Sequence, residues 1–419
     1  MDACITKLEA IVEAKQEHDR ARRANTLGDN FESRYEQTGE LEDLEAAITH
    51  TEAAVKAIRD DHPERARWLN NLGCRLSIRY EQTGNLEDLE AAINHGKAAM
   101  KATPEDDPDW ADWLHNLGVD LSSRYERSGN LEDLEAAINH GEAALKATPE
   151  DHPHRAALLN SLWVCFRSRY ERTGNLEDLE AAINHGEAAL KATPEDDPDW
   201  ADWLHNLGVD LSSRYERSGN LEDLEAAINH GVAALKATPE NHPDRAALLN
   251  SLWVRLSSRY KRSGNLEDLE IAINHGEAAL KATPENHPHR AARLNSLGAR
   301  LRSRYERTGN LEDLEAAINH GEAALKATPE DYPDWADWLH NLGVHLSNRY
   351  ERTGNLEDLE TAISHGEAAL KATPEDHPHR AALLNSLGVH FSNRYERTGN
   401  LEDLEAAINH GEAALKATP

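Results

Sequence analysis

The amino-acid sequence predicts an all-α chain, a right-handed α-α superhelical solenoid of nine helix-turn-helix repeats. Three observations carry that expectation. The string SRYERxGNLEDLEAAI recurs with small variations along the 419 residues, and its turn glycine falls at Gly39, Gly84, Gly129, Gly174, Gly219, Gly264, Gly309, Gly354 and Gly399, each 45 residues after the last. Ala, Leu and Glu dominate, while aromatic residues make up only 5% and Phe occurs three times, a vocabulary of helices rather than sheets. Within each period the apolar residues step by three and four, the spacing of one face of an α-helix.

The repeat over residues 108–148 shows how each element follows. Leu114, Leu117, Gly118, Leu121 and Tyr125 form the buried stripe of a first helix, and Leu131, Leu134, Ile138, Gly141, Leu145 and Thr148 that of a second. Asp107-Pro108 offers a side-chain acceptor followed by a residue with no N–H to lose, so the first helix is expected to start at Pro108. Gly129 closes it in the left-handed conformation. Asn130 caps the second helix, Glu132 and Asp133 face its positive end, Lys146 lies near its negative end and Pro149 stops it. Two helices of about 18 to 20 residues cannot bury these stripes alone, so the pairs must stack. Residues 101–141 and 191–231 are identical, which points to duplication of a two-repeat block.

Leu114-x2-Leu117-Gly118-x2-Leu121, then Leu134-x3-Ile138, then Pro149 resembles the tetratricopeptide pattern W-x2-L-G-x2-Y, A-x3-F and P. The Gly118 to Gly129 interval is four residues longer than usual, and Leu134 stands where the family has a small alanine. With its RYERTGNLEDLEAAI signature the unit is similar to the longer tetratricopeptide-like repeats that accompany CHAT protease or NTPase switch domains in fungal and bacterial signalling proteins. The resemblance implies a superhelical recognition or scaffolding array whose first helices line a concave groove, and no catalysis.

Residues 1–19 fall outside the 45-residue register but place Leu8, Ile11 and Val12 at helical spacing, so they are expected to form an irregular capping helix ahead of a solenoid over 20–419. At the other end, the second helix of the ninth repeat precedes Pro419 with no further helix to cover its apolar edge. Either the array belongs to something larger, or that edge meets a partner, and stacking of one chain on another into dimers or filaments is the alternative function. The net charge of −31 argues against nucleic-acid and anionic-membrane partners. No apolar run approaches the roughly 18 residues of a membrane helix, and the N-terminus lacks a signal-peptide layout, so a soluble, cytoplasmic chain is expected. Cys4, Cys74 and Cys165 share no metal spacing and read as free thiols.

Catalytic signals are missing. No GxxxxGK[ST] loop occurs, since Gly96-Lys97 is followed by Ala98, and no cysteine sits in a protease-like dyad context. The column His50, His95, His140, His185, His230, His275, His320, His365 and His410 reads as a solvated convex ladder. The His-Pro-His strings beginning at His152, His287 and His377 lack a third ligand, so no metal or other cofactor is expected. Acid pairs such as Glu132-Asp133 recur in every repeat and read as helix capping.

Second helices are nearly uniform, whereas first helices differ from copy to copy. The variable positions expected to face the groove are Asp112, His115, Asn116 and Ser122 in the third repeat, Asn160 and Arg167 in the fourth, and Asp202, His205 and Asn206 in the fifth. They continue with Asn250 in the sixth, Asn295 and Arg302 in the seventh, and Asp337, His340 and Asn341 in the eighth. Drift at exposed sites is the competing explanation. Trp113, Trp203 and Trp338 add aromatic area suited to helix packing or to ligand contact, and Trp163 and Trp253 replace the small residue of the Leu-Gly pair. The acidic balance favours a protein or peptide ligand of cationic or mixed polarity over an acidic one.

Overall fold

The computed structural model describes the backbone of residues 2–417 and the side chains of residues 15–417. Among the described residues there are eighteen α-helices and no strand. They pair within repeats: α1 (Asp2–Thr38) with α2 (Leu41–Ala57), α3 (Pro63–Thr83) with α4 (Leu86–Ala102), and α5 (Trp110–Ser128) with α6 (Leu131–Ala147). Next come α7 (Arg155–Thr173) with α8 (Leu176–Ala192), α9 (Trp200–Ser218) with α10 (Leu221–Ala237), and α11 (Arg245–Ser263) with α12 (Leu266–Ala282). The last three pairs are α13 (Arg290–Thr308) with α14 (Leu311–Lys326), α15 (Trp335–Thr353) with α16 (Leu356–Ala372), and α17 (Arg380–Thr398) with α18 (Leu401–Ala417). The chain divides into two compact bodies, Met1–Trp203 and Leu204–Pro419. Inside each body a helix packs on its chain neighbours, and successive odd-numbered helices also touch, as α3 does α5 and α13 does α15.

Every repeat turns at its glycine. Gly129 has φ 69° and donates its N–H to Tyr125 O at 2.7 Å, and the other eight turn glycines lie between φ 70° and 73°. A Cβ is strained there, which is why glycine closes each first helix. Asn130 Oδ1 then accepts from Glu132 N at 3.1 Å, the capping bond expected. The start of the first helix differs from expectation. Asp107 Oδ1 accepts from Asp109 N at 2.9 Å, so it stabilises a turn that carries Pro108, and α5 begins two residues later at Trp110. At the N-terminus α1 runs unbroken from residue 2 to residue 38, while the side chains of Leu8, Ile11 and Val12, on which the capping expectation rests, lie outside those described.

The glycines inside the helices set how closely the layers approach. A Cβ on Gly118 of α5 would lie 3.3 Å from Ala137 O of α6, so this glycine brings the two helices of one repeat together. On the second helix, a Cβ at Gly141 would lie 2.8 Å from Leu162 Cδ2. The hollow over this glycine is therefore filled by a leucine of the next first helix. Trp163 and Trp253 use the same hollow within their own repeats: their indoles lie over Gly186 and Gly276, and both are buried. The bulk added at the small-residue position is taken up where the second helix has no side chain.

One feature of the turn exceeds helix capping. Arg124 of α5 holds Asp133 of α6 through two bonds, Nε to Oδ2 at 2.9 Å and Nη2 to Oδ1 at 2.5 Å. The same arginine-aspartate pair, nine residues apart, occurs in all nine repeats from Arg34 with Asp43 to Arg394 with Asp403. Each aspartate is buried, so the second acid of the repeated pair fastens two helices across their turn, beyond its effect on the helix dipole.

Candidate recognition cavities

The first helices leave cavities between them. In the first body, α3, α5 and α7 enclose about 620 Å³ lined by Asp109, Asp112, Trp113, His115, Asn116 and His154, with Arg67 and Asn70 on α3. In the second body, α13, α15 and α17 enclose about 400 Å³ lined by Asp334, Asp337, Trp338, His340, Asn341 and His379, with Asn295 on α13. These are the same residues 225 positions apart, five repeats along, so one constellation is built twice.

Its internal bonds are alike in both copies. His154 Nδ1 lies 3.4 Å from Asp112 Oδ1, and His379 Nδ1 lies 3.1 Å from Asp337 Oδ1. Asn116 Nδ2 reaches Asn70 Oδ1 at 3.4 Å, and Asn341 Nδ2 reaches Asn295 Oδ1 at 3.2 Å, so amides link successive first helices. Burial pushes the pKa of His115 and of His340 down, with Asp112 and Asp337 respectively opposing the shift. Both imidazoles are therefore neutral at pH 7, and aspartates set the sign of the cavity charge. Arg67 offsets Asp109 in the first copy through a 2.7 Å bond, whereas Ala292 stands at the equivalent position in the second.

Two smaller cavities lie between pairs of first helices. One of about 170 Å³ between α5 and α7 is lined by His115, Ser122, Asn160, Val164 and Cys165. Cys165 sits 3.6 Å from Ser122 Oγ, and burial raises its pKa, which makes it a poor nucleophile. The other, about 360 Å³ between α11 and α13, contains Asn250 and differs in charge from the rest.

The variable residues singled out in the sequence thus fall in several places. Asp112, His115, Asn116, Ser122, Asn160, Asn250, Asn295, Asp337, His340 and Asn341 line these cavities. Arg167 and Arg302 pair along their own helices with Glu171 at 3.2 Å and Glu306 at 3.3 Å. On α9, Asp202 is exposed and belongs to the first body, whereas His205 and Asn206 are half-buried and belong to the second. Asp109, Asp334, His154 and His379 are added by the structure. They lie in the interhelix turns, where no helical periodicity marks a facing side.

The histidine column is not a solvated ladder. His95 and His140 are half-buried and their pKa values are lowered by burial, while His50, His185 and His410 stack on Phe31, Phe166 and Phe391 at 5.4, 5.4 and 5.5 Å. In the His-Pro-His strings the leading ring is a turn acceptor: His152 Nδ1 takes the His154 N–H at 3.3 Å, and His377 Nδ1 takes that of His379 at 3.2 Å. Among the described residues, one trio could offer three metal ligands, His18, His62 and Glu64. There His62 Nδ1 already accepts from Glu64 N, and Glu64 Oε1 accepts from Arg22 at 3.0 Å.

Residues 110–154 and 200–244 match the family model of the tetratricopeptide repeat. These two stretches carry the turn, cap and arginine-aspartate clamp found in the other repeats, and the eighteen helices in 45-residue pairs fit a tetratricopeptide-like array. Such arrays are scaffold folds that typically mediate protein-protein contact and are generally non-catalytic. No curated protein matches the chain. Among solved structures it is similar to the C-terminal part of a repeat protein from Cytophaga hutchinsonii, at 13% identity and TM-score 0.47 over 76% of this chain and 99% of that one. PilF of Pseudomonas aeruginosa is similar at 17% identity and TM-score 0.40, over 63% of this chain and 94% of that one. A MamA double mutant is similar at 19% identity and TM-score 0.36, over 51% and 94%. Among the described residues no helix is long and apolar enough to cross a membrane.

Proposed function

We propose that the chain is a non-enzymatic recognition array that holds a cationic or mixed-polarity protein segment against its first helices. The observation that carries this reading is the twice-built constellation of two aspartates, a neutral histidine, a tryptophan and paired asparagines around Asp112 and Asp337. The aspartates supply charge and the asparagines fixed amide groups, while neutral His340 and buried Trp338 add no competing cation. In the second copy no lysine or arginine lines the cavity among the described residues, so it suits a lysine or arginine side chain best. The test is a titration of basic and acidic peptide libraries at two salt concentrations, with Asp112→Asn and Asp337→Asn chains alongside. Basic peptides should bind preferentially and more weakly at high salt, and each substitution should lower affinity by roughly 3- to 10-fold. Preference for acidic peptides, or indifference to both salt and substitution, would reject it.

A second reading is self-assembly. Ile408 and Leu415 of α18 are exposed, whereas the equivalent Ile138 and Leu145 of α6 are buried and half-buried. The first helix of a second copy, whose counterparts of Leu117, Leu162, Leu342 and Leu387 fill such a face over Gly96, Gly141, Gly321 and Gly366, is the occupant this reading names. Light scattering over a concentration series tests it, since a chain that stays monomeric throughout removes it.

A further inference from the structure

The cavity between α11 and α13 has the opposite electrostatic character from the rest of the molecule. Lys261, Arg293 and Arg300 line it together with Trp253 and Ser257, and among the described lining residues there is no carboxylate. In a chain of net charge −31 that grouping needs a cause.

Internal repetition shows how far it departs from the pattern. The position of Lys261 is glutamate in every other repeat: Glu36, Glu81, Glu126, Glu171, Glu216, Glu306, Glu351 and Glu396. At the position of Arg293 the other repeats from the second onward carry only Trp or Leu, as in Trp113, Leu158, Trp338 and Leu383. Arg300 has arginine counterparts in Arg75 and Arg255, but those are occupied. Arg75 reaches Asp29 at 2.6 Å and Glu32 at 2.8 Å, and Arg255 donates to Ser212 Oγ at 2.9 Å and Ala227 O at 3.0 Å. Arg300 Nε is buried with no hydrogen-bond partner, as Arg75 Nε is, but among the described residues no carboxylate pairs with the Arg300 guanidinium as Asp29 and Glu32 do with that of Arg75. A charge reversal, an apolar-to-cation change and an unoccupied arginine, drawn from two helices, therefore converge on one space.

The neutral donors there are also unused. Trp253 Nε1 and Ser257 Oγ are both buried without a hydrogen-bond partner, in residues only 3% and 4% exposed. Leaving such groups unpaired costs free energy, as does crowding the cations. Lys261 has its pKa lowered first by the charge of Arg300, and Arg300 by burial and then by Arg302. An acceptor-rich anion in the cavity would remove that repulsion. A carboxylate brings two oxygens and one charge to a site with three cations. A phosphoryl dianion brings three oxygens and nearly two charges.

We propose that the α11–α13 cavity binds a phosphoryl group, carried on a small phosphate monoester or on a phosphorylated protein side chain. Its volume of about 360 Å³ accommodates the group with a few attached atoms, and exposed Val254 on the rim offers apolar contact to whatever carries it. This site is separate from the aspartate-lined cavities and stands whether or not those bind a cationic segment.

The test is calorimetric titration of the full chain with phenyl phosphate, with benzoate as the carboxylate counterpart, and with a phosphoserine peptide beside its unphosphorylated form. Phenyl phosphate or the phosphopeptide should bind, benzoate much more weakly, and the tighter of the two phosphates identifies the carrier. Lys261→Glu restores the residue of the other eight repeats, and Arg300→His introduces the residue of the next two, so both variants are compatible with the fold, which circular dichroism checks. Each should weaken phosphate binding at least about tenfold, whereas Asp337→Asn should leave it unchanged. No binding of either phosphate at about 10 mM overturns the proposal, a range in which a Kd of about 1 mM would be plain. Benzoate binding as tightly as phenyl phosphate, or unaltered binding in folded Lys261→Glu, does so as well.

Discussion

Asp120 occupies a buried position of the first helix that other repeats fill with Arg75, Cys165, Arg255, His345 or His390, and it accepts a hydrogen bond from Ser77 of the preceding repeat. Burial pushes its pKa up to about 7, with the Ser77 bond opposing the rise and Glu81 adding to it. The folded chain therefore keeps a proton that the unfolded chain has lost above pH 4, so this residue makes stability fall as pH rises from about 4 to 7. Asp120→Asn keeps an acceptor for Ser77 and removes the ionisation. It should raise stability at pH 8 by on the order of 2 to 4 kcal/mol and change it little at pH 4.5, as denaturant unfolding at the two pH values would show. Equal effects at both would contradict the assignment. His345 and His390, pushed down by burial to about 3 and about 4, act in the other direction, lowering stability as pH falls below about 6.5, and the comparison of variant with parent cancels them. None of these shifts was legible in the sequence, because the column tolerates both charges and none, and only packing reveals that it is buried. The turn glycines were legible. Gly219 has φ 71°, where a β-branched side chain is strained, and Gly219→Val should cost roughly 1 to 2 kcal/mol in the same assay.

At the level of the helix pair, the capping asparagine and the closing glycine are legible in the sequence because both act within three or four residues of chain. The arginine-aspartate clamp was present in every copy of RYERxGNLED but was hidden by a nearer explanation, the favourable placement of acids at a helix N-terminus. Geometry separates the two roles: Glu132 is exposed at that terminus, whereas Asp133 is buried and its carboxylate is claimed by Arg124. The arginine is partly exposed and its partner is not, so deleting the cation leaves a buried charge without its counter-ion. Arg304→Ala should therefore destabilise the chain by about 2 to 3 kcal/mol. Adding Asp313→Ala should recover part of that loss, a non-additivity that a double-mutant cycle in denaturant would measure. Strict additivity would mean that the pair is not coupled. The displaced start of α5 has a similar origin: Asp107 and Pro108 have the residue types of a helix start, yet the aspartate side chain completes a tight turn first, and the helix waits until Trp110.

Over the whole chain, a 45-residue period made the repeat count and the helical class legible, because every repeat shows the same hydrophobic stripe. The charge of individual cavities was not, since −31 averages over acidic pockets and the cationic one around Lys261. Periodicity also makes a strong prediction about cooperativity. Within the first body the hollow over Gly96 is filled by Leu117 and the hollow over Gly141 by Leu162. Deleting residues 109–153 removes one full repeat and joins residue 108 to residue 154 in register, so Leu162 arrives over Gly96 as Leu117 did before. The exchange replaces one leucine-glycine contact by another and returns Arg155 to the start of a first helix. Because such arrays unfold as linked nearest-neighbour units, the shortened chain should fold, with the same helicity per residue by circular dichroism and a modestly lower thermal midpoint. An unfolded product would show that stability depends on contacts beyond adjacent repeats and would overturn the nearest-neighbour account of this fold.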